Sequence, residues 1–318
     1  MIADITKPNE IFVPKYLALQ TILEKHERTH WNVDEADMRV DVEQWKNGKI
    51  TDSEKSFIKM ILRLFTQSDT NVCASYAERL IPTFRSADAR MMLLSFASRE
   101  VTHMKGYKRL NDTLGYDSTE FLSEFLSYSE MKEKHDFMIE STPLDTPVHI
   151  ATYLAKQILM EGVNLFGLFA MLLSFASEGK VPGTVSVNQW SITDESLHVA
   201  GLTEMLRNYL SENPSVVTNQ FKSAVYSTYT EVIRLEDNFI DLAYSAGTNN
   251  NATPQQVKDY VRYVGDYRMQ QMGFKPQYNI IECPLPIVEQ VTGNTFGNFF
   301  ETTVIEYSKS SLSGDWVY

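Results

Sequence analysis

Two short stretches, far apart in the chain, constrain it more than anything else: Glu100-Val-Thr-His103 and Glu195-Ser-Leu-His198. Residues i and i+3 of a helix share a face, so each stretch aims one carboxylate and one imidazole at the same point. A single pair of this kind is weak evidence. Upstream of each, however, an acid stands in apolar helical context: Asp69 in Phe65-Thr-Gln-Ser-Asp69 and Glu161 in Ile158-Leu-Met-Glu161. The order carboxylate, then about one helix and a turn, then Glu-x-x-His therefore occurs twice. This pseudo-repeat supplies four acids and two imidazoles from four helices. It matches a known ligand pattern, that of a two-metal carboxylate site inside a bundle.

Ionised carboxylates on apolar helices must be protonated, paired or metal-bound, because burying them uncompensated is prohibitively unfavourable. Arg99 and Lys105 are the nearest cations to Glu100, but they point off its face, so a salt-bridged core is the lesser alternative. Oxygen-rich ligation with two imidazoles suits iron or manganese better than zinc, whose structural sites favour thiolates. The expected metal ligands are thus Asp69, Glu100, His103, Glu161, Glu195 and His198, holding two iron ions or, alternatively, two manganese ions. Glu27-Arg-Thr-His30 spells the same motif at a polar helix end with no room for an upstream acid, and reads as surface. His26, His135 and His149 have no paired ligand spacing and read as solvated or capping. Tyr107 follows His103 by four residues, which stands its phenol beside the metals; with 16 tyrosines in the chain, packing is an open alternative. Asp194 precedes Glu195 and faces another side, where it can accept a proton from a ligand imidazole or simply be surface charge.

The rest of the chain reads as helices. An irregular arm leads to a helix over 16–28, and the mixed segment 31–49 reads as a connector. Thr51-Asp-Ser-Glu54 is a capping box that opens a helix running to about Leu80. Helices follow over 86–114, 118–140, a long apolar one from Pro147, 184–210, 216–246 and 254–272. Residues 274–297 carry no regular pattern, 299–307 suggest a short helical turn and 308–318 a mobile tail. No segment alternates with period two, so the expected fold is all-α, a ferritin-like bundle of about eight long helices around a dinuclear metal site. The expected organisation is one helical domain over 1–297 with a tail over 298–318.

Lys and Arg total 29 against 41 Asp and Glu, a net charge of −12, so the surface repels nucleic-acid phosphate and anionic membrane. No run of about 18 apolar residues and no N-terminal signal pattern are evident, and the two cysteines, Cys73 and Cys283, lie far apart. A cytoplasmic protein is expected, without nucleic-acid or membrane partners.

Taken jointly, His30-Trp31-Asn-Val-Asp-Glu35, Ser68-Asp69, Glu100-Val-Thr-His103-Met-Lys-Gly-Tyr107, Met160-Glu161-Gly162, Asp194-Glu195-Ser-Leu-His198 and Asn298-Phe-Phe-Glu301 through Glu306-Tyr307 resemble the small, radical-generating subunit of class I ribonucleotide reductase. The likeness runs from about Ile11 to Tyr307, and the compact length is most similar to the class Ib branch. The resemblance implies that the six ligands hold the metals and that dioxygen-dependent activation leaves a stable radical on Tyr107. It implies a proton-coupled electron route through His103, Asp194 and Trp31 to Tyr307, with Leu165 and Phe169 shielding the radical. It further implies a homodimer, and a large subunit that docks on the C-terminal tail and reduces ribonucleotides to deoxyribonucleotides. Two alternatives share the ligand set: a ferroxidase or iron store, which needs only a short four-helix chain, and a two-metal oxygenase or oxidase, which needs neither Trp31 nor Tyr307.

Overall fold

Helix caps and buried apolar stripes account for most of the architecture. The computed structural model describes residues 4–140 and 142–293, and among them there is no strand. The longer helices are α1 Leu17–Arg28, α2 Arg39–Asn47, α3 Asp52–Ser75, α4 Ala87–Leu114, α5 Ser129–Ile139, α6 Pro147–Gly162, α7 Phe166–Leu173, α8 Pro182–Glu212, α9 Asn219–Ala246, α10 Pro254–Gln271 and α11 Pro286–Thr292. Tyr307 and the expected tail over 298–318 lie outside the described residues.

The capping box at Thr51 forms: the Glu54 amide donates to the Thr51 hydroxyl, and the Glu54 carboxylate accepts from the Thr51 amide at 2.9 Å. Ser86 caps α4, which ends at Gly115 in the left-handed region (φ 83°). Helices α3, α4, α6 and α8 pack around a continuous apolar core, with α1 laid across α4 and α8, and α9 and α10 behind α6.

Tertiary demands modify four expectations. Segment 31–49 contains a helix, α2, besides a 3₁₀ turn at Val33–Glu35. The expected helix over 118–140 is cut, because Tyr128 turns extended (φ −96°, ψ 121°) between a 3₁₀ turn that buries Phe125 and the start of α5. The long apolar helix breaks between Gly162 and Phe166. There the freed Asn164 carbonyl accepts from Lys134 Nζ at 2.9 Å, and Lys134 also pairs with Glu236 in the interior. This cation makes a buried helix break tolerable, since an orphaned carbonyl would cost about 1–3 kcal/mol. Finally, Pro286 opens α11 within the stretch that reads as patternless.

The expectation about membrane-length segments also needs correction. Pro147–Glu178 is long and apolar enough to cross a bilayer, and all of its most apolar window is buried inside the bundle. The polar residues scattered through it hide the run from a reading that looks for unbroken apolar sequence.

α8 carries two of the candidate ligands and is anchored from a distance. Val181 adopts φ 42°, and Asp41 of α2 accepts from the Gly183 amide at 2.7 Å, the Thr184 amide at 2.8 Å and the Thr184 hydroxyl at 2.8 Å. A carboxylate at a helix N-terminus meets orphan amides and the positive end of the dipole. Asp41→Ala is expected to lower unfolding free energy by about 1–3 kcal/mol, seen as a lower urea midpoint at unchanged m-value.

Candidate metal centre

The four central helices each aim acid or imidazole at one point. Asp69 comes from α3, Glu100 and His103 from α4, Glu161 from α6, and Glu195 and His198 from α8. All six are essentially inaccessible to solvent. Two groups have ligand atoms close enough to hold an ion, one of Asp69, Glu100 and His103, the other of Glu100, Glu161, Glu195 and His198. His103 Nδ1 lies 3.4 Å from Glu100 and 3.2 Å from Glu195, while His198 Nδ1 lies 3.0 Å from Glu100, 3.2 Å from Glu161 and 3.4 Å from Glu195.

Whether these residues fit a metal pair is decided by their unsatisfied atoms. Asp69 Oδ2, both Glu100 oxygens, Glu161 Oε1, Glu195 Oε2 and the Nδ1 atoms of both histidines are buried without a well-aligned hydrogen bond. Native interiors leave few polar atoms in that state. Here seven of them face one another, and the donor set of oxygen plus imidazole suits iron or manganese.

The electrostatics agree. Burial, then the neighbouring Glu100 carboxylate, raises Asp69 well above the ordinary carboxylate range. Burial likewise pushes Glu161 up to about 7. For Glu100 burial acts upward but the His103 and His198 rings outweigh it and hold the group at about 2. Burial acts to lower both imidazoles, yet the carboxylates around them raise them well above the usual histidine range. Without a cation, the cluster draws in protons instead.

Behind the ligands the structure is polar and specific. Asp194 Oδ2 lies 3.2 Å from His103 Nε2 and accepts from Trp31 Nε1 at 2.7 Å, while Oδ1 pairs with Arg99. Arg99 also donates to the carbonyls of His26 and Thr29, tying the end of α1 to the centre. The Trp31 ring lies nearly parallel to His103, with centroids 6.0 Å apart. Gly106 permits this approach, since a Cβ there would stand 3.2 Å from Trp31. Tyr107 is buried, donates to Asn188 Oδ1 at 3.3 Å and stacks on Phe65 at 4.4 Å, and Phe169 also packs against Phe65 at 4.9 Å. Burial, then Asp69, raises its phenol well above the ordinary tyrosine range. Leu165 is also buried.

Sequence reading misses several of these residues. Arg99 points off the Glu100 face but into the interior, as the partner of Asp194. His26 is not solvated: it is buried, with Nε2 3.2 Å from His198 Nε2 and Nδ1 2.9 Å from Ser95 Oγ. Its signal was its place on the buried stripe of Leu19 and Leu23. Tyr76, two turns beyond Asp69, donates to Glu161 Oε2 at 2.6 Å. Glu27 and His30 are exposed, His149 meets Asp145 at the surface, and His135 bonds Asn71 away from the centre.

Residues 8–284 match the family model described as ribonucleotide reductase, small chain. The chain belongs to that family. A relative named as a probable ribonucleoside-diphosphate reductase small subunit, from Invertebrate iridescent virus 3, is 37% identical over 310 residues, covering 92% of this chain and 82% of its own length. The ribonucleoside-diphosphate reductase subunit beta of Chlamydia pneumoniae is 25% identical over 291 residues, covering 87% and 84%. Among solved structures, a putative class I ribonucleotide reductase from Bacillus halodurans has a TM-score of 0.78 at 20% identity, covering 86% of this chain and 99% of its own. The Rnr4 homodimer of Saccharomyces cerevisiae gives 0.74 at 18% identity, covering 87% of each chain. This small chain is thus a ribonucleoside-diphosphate reductase subunit with the ferritin-like helical fold, and its buried carboxylate and imidazole cluster is able to hold a dinuclear metal.

Because the metal-free cluster holds extra protons, loading it releases them. Adding Mn²⁺ to the chain in weak buffer is expected to acidify the solution, and affinity is expected to rise from pH 6 to pH 8. Glu100→Gln, which removes a carboxylate common to both groups, is expected to abolish uptake of a full metal pair by elemental analysis.

Proposed function

We propose that this chain generates a radical on Tyr107 and passes the oxidising equivalent to a separate large subunit, where ribonucleotides are reduced. The observation that carries this reading is the pair of aromatic groups beside the cluster: the buried phenol of Tyr107, and Trp31, which reaches the cluster through Asp194 and His103. Asp69, Glu100, His103, Glu161, Glu195 and His198 would hold a pair of iron or manganese ions, whose reaction with dioxygen or an oxidant derived from it supplies one-electron oxidising power.

The residues divide the remaining work. Tyr107 gives up an electron and its phenolic proton. Phe65, Leu165 and Phe169 keep water from the resulting phenoxyl, which prolongs its life. Asp194 fixes the tautomer of His103 by accepting from Nε2, leaving Nδ1 as a lone pair directed inward. The same carboxylate holds the Trp31 indole, so that electron and proton positions on the outward route are coupled through one group. Arg99 keeps Asp194 ionised: although burial acts to raise its pKa, the histidine and arginine partners hold it far below the ordinary range.

Tyr307 would relay the equivalent onward, and the tail over 298–318 would dock the large subunit. In this reading the chain works as a cytoplasmic homodimer. Its free cysteines fit a reducing compartment, and exposed Met91, Leu94 and Val101 on one face of α4 offer apolar area for a second copy.

Anaerobic loading with Fe²⁺ followed by air, or with Mn²⁺ followed by a suitable oxidant, is expected to give a tyrosyl signal in electron paramagnetic resonance. Tyr107→Phe is expected to remove that signal while leaving metal content unchanged; a signal that persists overturns the assignment. Deleting 298–318 is expected to preserve the signal and abolish reductase activity with the large subunit.

A further inference from the structure

The two halves of the cluster share ligands and differ in what supports them. Glu100 and Glu195 each approach both imidazoles, so they are common to the two halves. Each half adds one carboxylate and one imidazole of its own: Asp69 with His103, and Glu161 with His198. The compact groups are of three and four residues, and what stands behind each imidazole adds a further difference between the halves.

Behind His103 stands a carboxylate, Asp194, fixed by Arg99 and Trp31. Behind His198 stands another imidazole, that of His26, whose far nitrogen bonds Ser95 Oγ. A carboxylate raises the basicity of the ligand it supports, and a second imidazole does so less. Since His198 presents Nδ1 inward, its Nε2 carries the hydrogen and donates to His26 Nε2; His26 Nδ1 then donates to Ser95. The carboxylate of this half is also held. Tyr76 donates at 2.6 Å to Glu161 Oε2, the same oxygen that lies 3.2 Å from His198 Nδ1, and Oε1 is buried without a hydrogen bond. Tyr76 reaches that point from a π-helical turn, Tyr76–Leu80, that follows directly on α3 and displaces the residues after Ser75 from regular α-helical register.

We propose that Tyr76 and His26 are positioning residues for the Glu161–His198 half, and that they set how tightly this half, and not the other, holds its ion. The proposal rests on the reading of the cluster as a metal pair. Neither residue touches the reacting phenol: one orients a carboxylate, the other an imidazole, and together they set how readily an ion enters that half.

The test is a titration of the full metal-free chain with Mn²⁺ alone, following free ion by electron paramagnetic resonance and heat by calorimetry. Two resolved steps are expected. Tyr76→Phe and His26→Leu are each expected to weaken the same one of the two steps by roughly 10- to 100-fold while leaving the other within about threefold. His26→Gln, whose amide can accept from His198, is expected to recover most of the loss. Circular dichroism and thermal midpoints establish that each variant is folded; should His26→Leu not fold, Tyr76→Phe, which removes one oxygen and keeps the ring, carries the test. Two indistinguishable steps in the parent chain, equal weakening of both steps, weakening of different steps by the two variants, or no weakening in Tyr76→Phe overturns the proposal. No Mn²⁺ uptake at all overturns the metal reading beneath it, a result distinct from uptake in two equal steps.

Discussion

Four carboxylates and two imidazoles held within hydrogen-bonding distance in a dry interior form an arrangement that is unfavourable by itself. Their like charges repel, their solvation is gone, and seven of their polar atoms have no proper partner. Everything near the centre can be understood as holding that arrangement in place. The four ligand-bearing helices are long and apolar on their buried sides, and the apolar core supplies the stabilisation that the polar centre consumes. The free energy is released only when positive charge arrives, as protons on His103 and His198 or as metal ions. Such a site is strained toward its cofactor by the fold around it.

The supporting groups are placed with the same economy. Arg99 is the hinge of one side: it neutralises Asp194, which orients His103, and it caps the carbonyls at the end of α1, which sets down Trp31. Removing one partner of such a buried pair leaves an uncompensated charge and costs about 3–5 kcal/mol, so this network is part of the fold as well as of the chemistry. On the other side, Lys134 and Glu236 allow α6 to end just after Glu161. The break gives the backbone around Glu161 a geometry that a straight helix would not have, and places Leu165 and Phe166 in the core.

The helical class and the convergence of Asp69, Glu100, His103, Glu161, Glu195 and His198 were legible because both follow from spacing. A buried acid on an apolar stripe is anomalous in any single helix, and two copies of the anomaly in one order specify a common centre. Tyr76 and Arg99 were not legible, since their partners lie far away in sequence and nothing local marks them as polar residues with work inside the core, and His26 carried only its place on the stripe of Leu19 and Leu23. His26 looked like part of an exposed helix end because Glu27 and His30 beside it are exposed. The breaks at Tyr128 and at 163–165 escaped for a related reason: propensity favours continuing each helix, and only the packing of Phe125 and the reach of Lys134 from α5 interrupt them. The apolar stretch from Pro147 to Glu178 was read as a helix but not as one of membrane-crossing length, because interspersed polar residues disguise how hydrophobic the whole of it is.

The buried cluster is satisfied by cations and by nothing else among the described residues. Calorimetric unfolding of the chelator-treated and the anaerobically Fe²⁺- or Mn²⁺-loaded protein at one pH measures this directly. The loaded form is predicted to unfold at a higher temperature, with a gain that grows with free-ion concentration and reaches about 2.7 kcal/mol at a hundredfold excess over the dissociation constant. Identical transitions with and without metal would contradict the account.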